Sequence, residues 1–437
     1  MKRIATAVLL ACGALSVHAA DLLEIYRDAL ASDAQFASAR ALYEANQEKG
    51  PQGRAGMLPT INLTGNTSYT WADTILAEPR SYNYNTNAYQ VQLVQPIFRW
   101  QNIEAYRQGN LQVDVAEAQF LTARNDLALR VAQTYFDVLY AEEVLNSVQA
   151  LKSATAEQLQ LAKKSFEVGT VTVTDVNEAQ SKYDLAAAQE IAAQNDLDVK
   201  RQALSLLSGK PPQSLARLRP GVQISPPLPA NIDDWVRAAE KSNATVQAST
   251  LAVEIAERDV AKARAGHLPT LDFVASHGNT HAGRTGSVNT PPSMSRNNLV
   301  GLQLSVPIFA GGATQSKVRE ALALKTKAEA DLETQRRVAT QAARQAYLGV
   351  TSGIAQVRGY EAAVVSSTSA VASNKLGYEV GVRINIDVLN AQSTLADTQQ
   401  KLAKARYDTL VNQLKLKAAA GPVEQGDIEQ VNALLSK

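Results

Sequence analysis

YEVGVRINIDVLNAQ at residues 378–392 repeats FEVGTVTVTDVNEAQ at 166–180, with Glu, Val, Gly, Asp, Val, Ala and Gln at the same seven of fifteen places. An isolated echo of a turn carries little weight, but this one belongs to a duplication that runs almost the length of the chain. RAGMLPTINL (54–63) returns as RAGHLPTLDF (264–273), and QLVQPIF (92–98) returns as QLSVPIF (303–309). The spacing drifts only from 210 residues, Gly56 to Gly266, to 212, Gly169 to Gly381. Two copies of one long unit therefore occupy residues 21–220 and 231–437, joined by a Pro-rich linker at 221–230, and each copy must have the same order of elements.

With 43 basic and 42 acidic residues among 437, the formal net charge is +1, so no long-range field recruits nucleic acid or an acidic surface. Lys2-Arg3, the apolar run Ile4 to Leu15 and the small residues around Val17-His18-Ala19 read as a secretory signal peptide over residues 1–20. The single cysteine, Cys12, lies in that run. Cleavage after about Ala19 leaves a mature chain without a thiol, whereas a lipoprotein reading of LLAC leaves Cys12 acylated; either way the chain is exported. No later segment approaches the ~18–20 apolar residues of a spanning helix, so a membrane crossing here requires strands.

Neither Gly nor Pro occurs from Asn110 to Val168, and Leu127, Val131, Tyr135 and Val138 follow helical spacing. The pattern predicts a helix of ~90 Å at ~1.5 Å per residue, several times the width of a small globular domain. Ala313 to Leu376 is its counterpart, free of Pro but containing Gly349, Gly353 and Gly359, which weaken helix and favour a bend. After the repeated turn, 170–208 and 382–420 read as returning helices ending at Gly209 and Gly421, each suited to a C-cap. Leu22–Glu48 and Ile232–Ala265 supply the first helix of each copy.

Between first helix and hairpin the period changes from 3.6 to two. LPT at 58–60 and 268–270 stops a helix, because the residue before proline leaves the α region. Ile61, Leu63, Gly65, Thr67 and Tyr69 then alternate with Asn62, Thr64, Asn66 and Ser68, and Tyr89, Val91 and Leu93 alternate with Gln90 and Gln92 up to Pro96. In the second copy Leu271, Phe273 and Ala275, and later Val300, Leu302, Leu304 and Val306, repeat the pattern up to Pro307. Each copy carries one β-hairpin with an apolar and a polar face, over the length a tilted membrane strand requires. Tyr69, Trp71, Tyr82, Tyr84, Tyr89, Phe98, Trp100 and Tyr106 gather here as an interfacial girdle would. Four strands cannot close a barrel, and open edges are not tolerated in lipid, so a barrel must be shared between chains.

The signal peptide, the twofold repeat, LPT…hairpin…PIF and VG-x5-D-V at the helical tips together resemble the TolC-type outer-membrane efflux proteins. The resemblance covers the whole mature chain. It implies mixed α and membrane β architecture: a homotrimer whose twelve strands form one barrel through the outer membrane of a Gram-negative bacterium, above an α-helical tunnel crossing the periplasm. It further implies a periplasmic adaptor, an inner-membrane ABC, RND or MFS transporter that supplies the energy, and no cofactor. Pro96 and Pro307 suit the junction where barrel passes into tunnel, since proline ends a ladder and fits a first helical turn. Tyr378, Arg383 and Asp387 match the family's closing residues, and Thr174 and Asp175 their partners. Three copies of Asp387 would form a carboxylate ring, whereas Asn390 stands where relatives often carry a second acid. Both aspartates also read as ordinary helix N-caps, and Asp175 with Glu178 as a capping-box pair. Val168-Gly169 and Val380-Gly381 are docking points for an adaptor on the resemblance and hairpin turns without it.

His277 and His281 lie in a strand-to-loop region and lack an evident third metal ligand. No nucleophile elbow, P-loop or Cys/His cluster occurs, so the expected function is a gated duct and not an enzyme. The rival reading is a soluble periplasmic coiled-coil scaffold or adaptor. The cargo, whether drug, polypeptide or metal ion, is not encoded in any motif.

Overall fold

The computed structural model describes residues 19–74, 80–211, 214–283 and 292–436. The signal segment through residue 18, with Cys12, lies outside the described residues, as do 75–79 and 284–291 between the strands. The first half runs α1 (Leu22–Ser32), α2 (Ala34–Gln47), α3 (Lys49–Ala55), β1 (Thr60–Thr74), β2 (Arg80–Phe98), α4 (Trp100–Glu167) and α5 (Val173–Ser208). The second runs α6 (Ile232–Ser242), α7 (Ala244–Arg264), β3 (Thr270–Ala282), β4 (Ser293–Ser305), α8 (Ala313–Glu379) and α9 (Asn385–Ala420), and ends with α10 (Gln425–Asn432). The chain divides into two compact units that each draw on both halves. One takes the chain up to Ala39, Thr122–Asn243 and the chain from Ala339; the other takes Arg40–Leu121 and Ala244–Val338.

The first helix of each half is not continuous, against the expectation from periodicity. Asp33 and Asn243, 210 residues apart, each adopt extended φ/ψ while their N–H closes the preceding helix on Ala29 and Ala239. One extended residue thus ends one helix and begins the next, a stop that needs neither Gly nor Pro. Asp33 caps α2 by accepting from the Phe36 N–H at 2.7 Å, and it accepts from the Arg130 guanidinium at 2.9 and 3.1 Å. Burial alone would push the Asp33 carboxyl up, but Arg130 and the Phe36 N–H outweigh it and hold the carboxyl below the ordinary value. A depressed folded pKa contributes stability above the unfolded value of about 3.9, lost as pH falls through the folded value. Asp33→Asn, which keeps the cap but not the charge, is therefore expected to cost about 1–2 kcal/mol at pH 7 and progressively less as the pH falls below about 3.9. Thermal unfolding in detergent at the two pH values checks this; a pH-independent loss would remove the ion pair from the account.

In the first compact unit the stripe predicted on α4 is the core: Leu127, Val131, Tyr135 and Val138 are all buried, and Phe136 stacks on Tyr407 of α9 at 5.5 Å. The Tyr135 hydroxyl donates to the Ala216 carbonyl at 2.7 Å, and burial pushes its pKa well up. On α5 the buried positions Ala179, Ala186 and Ala193 keep a seven-residue register, and Leu197 and Leu204 carry a second one four residues on, the spacing of helices that wind around one another. Alanine there lets a neighbouring backbone approach. The glycines expected to weaken α8 leave it unbroken over 67 residues. A Cβ at Gly353 would fall 2.3 Å from the Thr409 hydroxyl and one at Gly349 3.0 Å from the Asn412 amide, so these two glycines admit α9.

In the second unit β1 to β4 form one antiparallel sheet in chain order. The register pairs Ile61 with Leu93, Leu93 with Ala275 and Ala275 with Val300, which aligns one apolar face across all four strands. α4 begins at Trp100 and not Asn110, because Gly109 lies inside the helix where α3 crosses it. A Cβ at Gly109 would meet the Lys49 carbonyl oxygen at 2.5 Å, and one at Gly53 the Ala105 carbonyl at 3.1 Å. Pro96 is not in a first helical turn: it sits inside β2, opposite Asp272, and the β2–β3 register shifts between Pro96 and Phe98. Pro307 lies in the connection between β4 and α8. At the passage from β2 into α4, Arg99 grips buried Asp272 of β3 with two hydrogen bonds, Nε to Oδ1 at 2.7 Å and a second to Oδ2 at 2.5 Å.

Candidate channel gate and membrane face

The two hairpin tips close in the same way. Gly169 and Gly381 have φ of +76° and +79°, a conformation that strains any side chain, and each follows a helix whose last turn ends in a six-to-one hydrogen bond. Thr170 N–H donates to the Ser165 carbonyl and Val382 N–H to the Gly377 carbonyl, both at 2.9 Å. Val168 and Val380 are 74% and 64% exposed at these tips, and Val173, Val382 and Ile384 beside them are also exposed. Five exposed apolar side chains thus lie at the two tips.

The helices that follow begin differently. Thr172 caps α5 in a reciprocal box with Asp175: the Thr172 N–H donates to Asp175 Oδ2 at 2.8 Å and the Asp175 N–H to the Thr172 hydroxyl at 3.3 Å. The pairing expected between Asp175 and Glu178 is therefore replaced by one three residues earlier. In the second hairpin Ile384 stands at the cap and offers no side-chain bond, so Asp387 is not a cap either. It lies at the third helical position, half-buried, 3.6 Å from Arg383. Arg383 lies against Gly377, whose missing Cβ would meet the arginine Cγ at 2.7 Å. Thr174 and Asn390 are exposed, and Tyr378 is half-buried. Among the described residues no hydrogen bond or ion pair joins Arg383 or Tyr378 to Thr174 or Asp175; within one chain each aspartate is held locally.

Sequence reasoning missed how α9 packs on the α4–α5 hairpin. Leu389 inserts among Leu159, Ala162 and Ala179, with Val176, Tyr183 and Ile386 around them. Flanking this contact, Asn385 and Gln392 are 3% and 7% exposed, and neither amide makes a hydrogen bond through its oxygen or nitrogen among the described residues. Positions 385, 389, 392 and 396 have the spacing of a packed seam, and two amides in such a seam were the signal available in the sequence. Unpartnered buried amides weaken the contact they occupy.

The membrane face is the side of the sheet that carries Ile61, Leu63, Val91, Val300, Leu302 and Leu304, all exposed. The opposite side presents Asn62, Thr64, Gln90, Gln92, Ser276 and Gln303, as the two-residue period dictates. Tyr69 and Trp71, on the apolar side of β1, meet edge to face at 4.7 Å. Among the described residues no helix is long and apolar enough to cross a membrane. His277 and His281 belong to no group of three or more metal-holding side chains among the described residues.

A sheet apolar on one face and polar on the other, in one chain with helices of 68 and 67 residues, defines a class of membrane channel whose wall is part strand and part helix. The sequence model of the outer membrane efflux protein family matches twice, over residues 25–210 and 235–422, and the chain belongs to that family. It is 33% identical to outer membrane protein TolC of Escherichia coli (strain K12) over 431 residues, covering 96% of this chain and 86% of that one. It is also 33% identical to the alkaline protease secretion protein AprF of Pseudomonas aeruginosa over 419 residues, covering 94% and 86%. Among solved structures, CusC aligns with a TM-score of 0.79 at 18% identity over 92% of both chains, and VceC of Vibrio cholerae with 0.76 at 19% over 92% and 96%. The protein is an outer-membrane channel of the family that includes efflux and secretion channels, and the reading as a soluble scaffold falls away.

Proposed function

We propose that the protein is the exit duct of a tripartite efflux or type I secretion system, working as a homotrimer whose helical tips are opened by a periplasmic adaptor and an inner-membrane ABC, RND or MFS transporter. The observation that carries the oligomer is the open sheet. β1 and β4 are both edges, the face across them is apolar, and lipid does not tolerate unpaired backbone. Pairing β4 of one copy with β1 of the next removes every edge, and three copies bring the strand count to twelve. A second seam supports it: Leu185, Ala192, Val199 and Leu206 keep a seven-residue register on the exposed side of α5, a stripe fitted to a neighbouring helix.

The gate is proposed at the second hairpin. Asp387 and Arg383 form the charged pair there, with Tyr378 and Asn390 beside them and Thr174 and Asp175 as partners across the hairpins. Asp175 is engaged in its cap, whereas Asp387 has only the 3.6 Å contact with Arg383, so Asp387 is the carboxylate proposed to face the axis as a ring of three. Val168, Gly169, Val380 and Gly381 are the proposed adaptor contacts, supported by their exposed apolar side chains. Pro96 and Pro307 mark the passage from barrel to tunnel. In planar bilayers Asp387→Ala is expected to raise conductance or abolish cation preference; unchanged values for both would discard the ring.

A further inference from the structure

Moving along the membrane face away from the helices, the apolar rows end abruptly. Leu304, Leu302 and Val300 on β4 give way to Asn298, Arg296 and Met294, and Leu271, Phe273 and Ala275 on β3 give way to His277, Asn279 and His281. Arg296 pairs with Asn279, so the two β3 positions diagonal to it on the same face are His277 and His281. Diagonal neighbours across a ladder lie ~7–8 Å apart, within reach of long side chains, and one guanidinium is thereby bracketed by two imidazoles. All three side chains are exposed.

Among the described residues no carboxylate neutralises this cluster. That face of β3 and β4 carries no carboxylate, and Arg296 makes no ion pair among the described residues. His277 Nδ1 is held by the Asn298 side-chain oxygen at 2.6 Å, and its ring lies 6.4 Å from the Tyr89 ring, which leaves Nε2 as its remaining polar atom. The side-chain oxygen of Asn279, opposite Arg296, is buried and has no hydrogen-bond partner, alone in this respect among the described strand residues. It is an acceptor available to orient the guanidinium.

The depth of the cluster identifies what it meets. Arg296 lies eight residues beyond Leu304, ~26 Å along a strand at ~3.3 Å per residue. With a tilt of ~40° this is ~20 Å of height, close to the ~25 Å of an outer-membrane apolar band. The helices leave the sheet at the other end, so this end faces the outer leaflet. An always-charged guanidinium and two imidazoles at the level where acyl chains end, on the lipid side of the wall, match a phosphate.

We propose that Arg296, His277 and His281 form a binding site for a phosphorylated lipid headgroup of the outer leaflet, with Asn279 as a positioning residue. The site rests on the reading of this face as lipid-facing. The test uses the purified full-length protein in detergent with three additions: a bis-phosphorylated glycolipid, the same glycolipid without phosphate, and inorganic phosphate alone. The phosphorylated glycolipid is expected to remain bound in native mass spectra and raise the melting midpoint, with the phosphate-free form about tenfold weaker and inorganic phosphate without effect. Arg296→Gln and the double variant His277→Gln/His281→Gln should each bring retention down about tenfold, and Arg296→Lys should restore part of it. Equal retention of both glycolipids, or full retention by both variants, overturns the site while leaving the membrane face intact. Equal stabilisation by inorganic phosphate overturns the lipid as occupant. No retention of either glycolipid likewise overturns the site, while the membrane face, which rests on the exposed apolar strand residues, stands.

Discussion

Arg99→Ala is expected to destabilise the folded protein by about 3–5 kcal/mol, more than any substitution at the tips. The reason is the asymmetry of its pair: the Arg99 side chain is 39% exposed and that of Asp272 only 9%. Removing the arginine leaves a buried carboxylate without its two charge-assisted bonds, whereas Asp272→Ala leaves an arginine that reaches water, at about 1–2 kcal/mol. The double variant should therefore be more stable than Arg99→Ala alone. Denaturant titrations in detergent micelles distinguish the order; equal losses for the two single variants would show that Asp272 is not effectively buried. The pair ties β3 to the residue between β2 and α4, so its loss loosens the point where strand becomes helix.

Gly109→Val is expected to cost about 2–3 kcal/mol, even though valine is the better helix former of the two. Its Cβ would sit 2.5 Å from the Lys49 carbonyl, and a backbone oxygen in a helix cannot turn aside as a side chain can. α3 would have to move off α4. Gly359→Ala is the matched control: nothing lies within 4 Å of the added carbon there, so a gain of about 0.5–1 kcal/mol is expected. Opposite signs for the two substitutions in the same melting assay support the crossing; a stabilised Gly109→Val variant would rule it out.

These two sites also mark where sequence reasoning stops. Long helices and alternating strands are legible because a period of 3.6 or two, sustained over many residues, has few other causes, and Leu127 to Val138 proved buried as spaced. Gly109 stops such reasoning ten residues short of Trp100, since a glycine that breaks a helix and one that admits a crossing backbone look alike in one dimension. Asp33 leaves the opposite error: a single extended residue interrupts no apolar stripe, and only its capping chemistry, shared with Asn243, betrays it. Arg99 and Asp272 are 173 residues apart, and no local spacing relates them. At the tips, Thr172 and Ile384 occupy matching places in the duplicated turn, and that one difference decides which aspartate is engaged in a cap.

The order of the strands carries a consequence for the assembly of the molecule. β2 and β3 come from different halves, yet they pair edge to edge just as the proposed β4 and β1 of adjoining copies do. The seam within the chain and the seam between chains are then quasi-equivalent joints, one made covalent by the linker. A half-length unit with the same strand order would build the same ring from six identical pieces, at the cost of making the two kinds of tip alike.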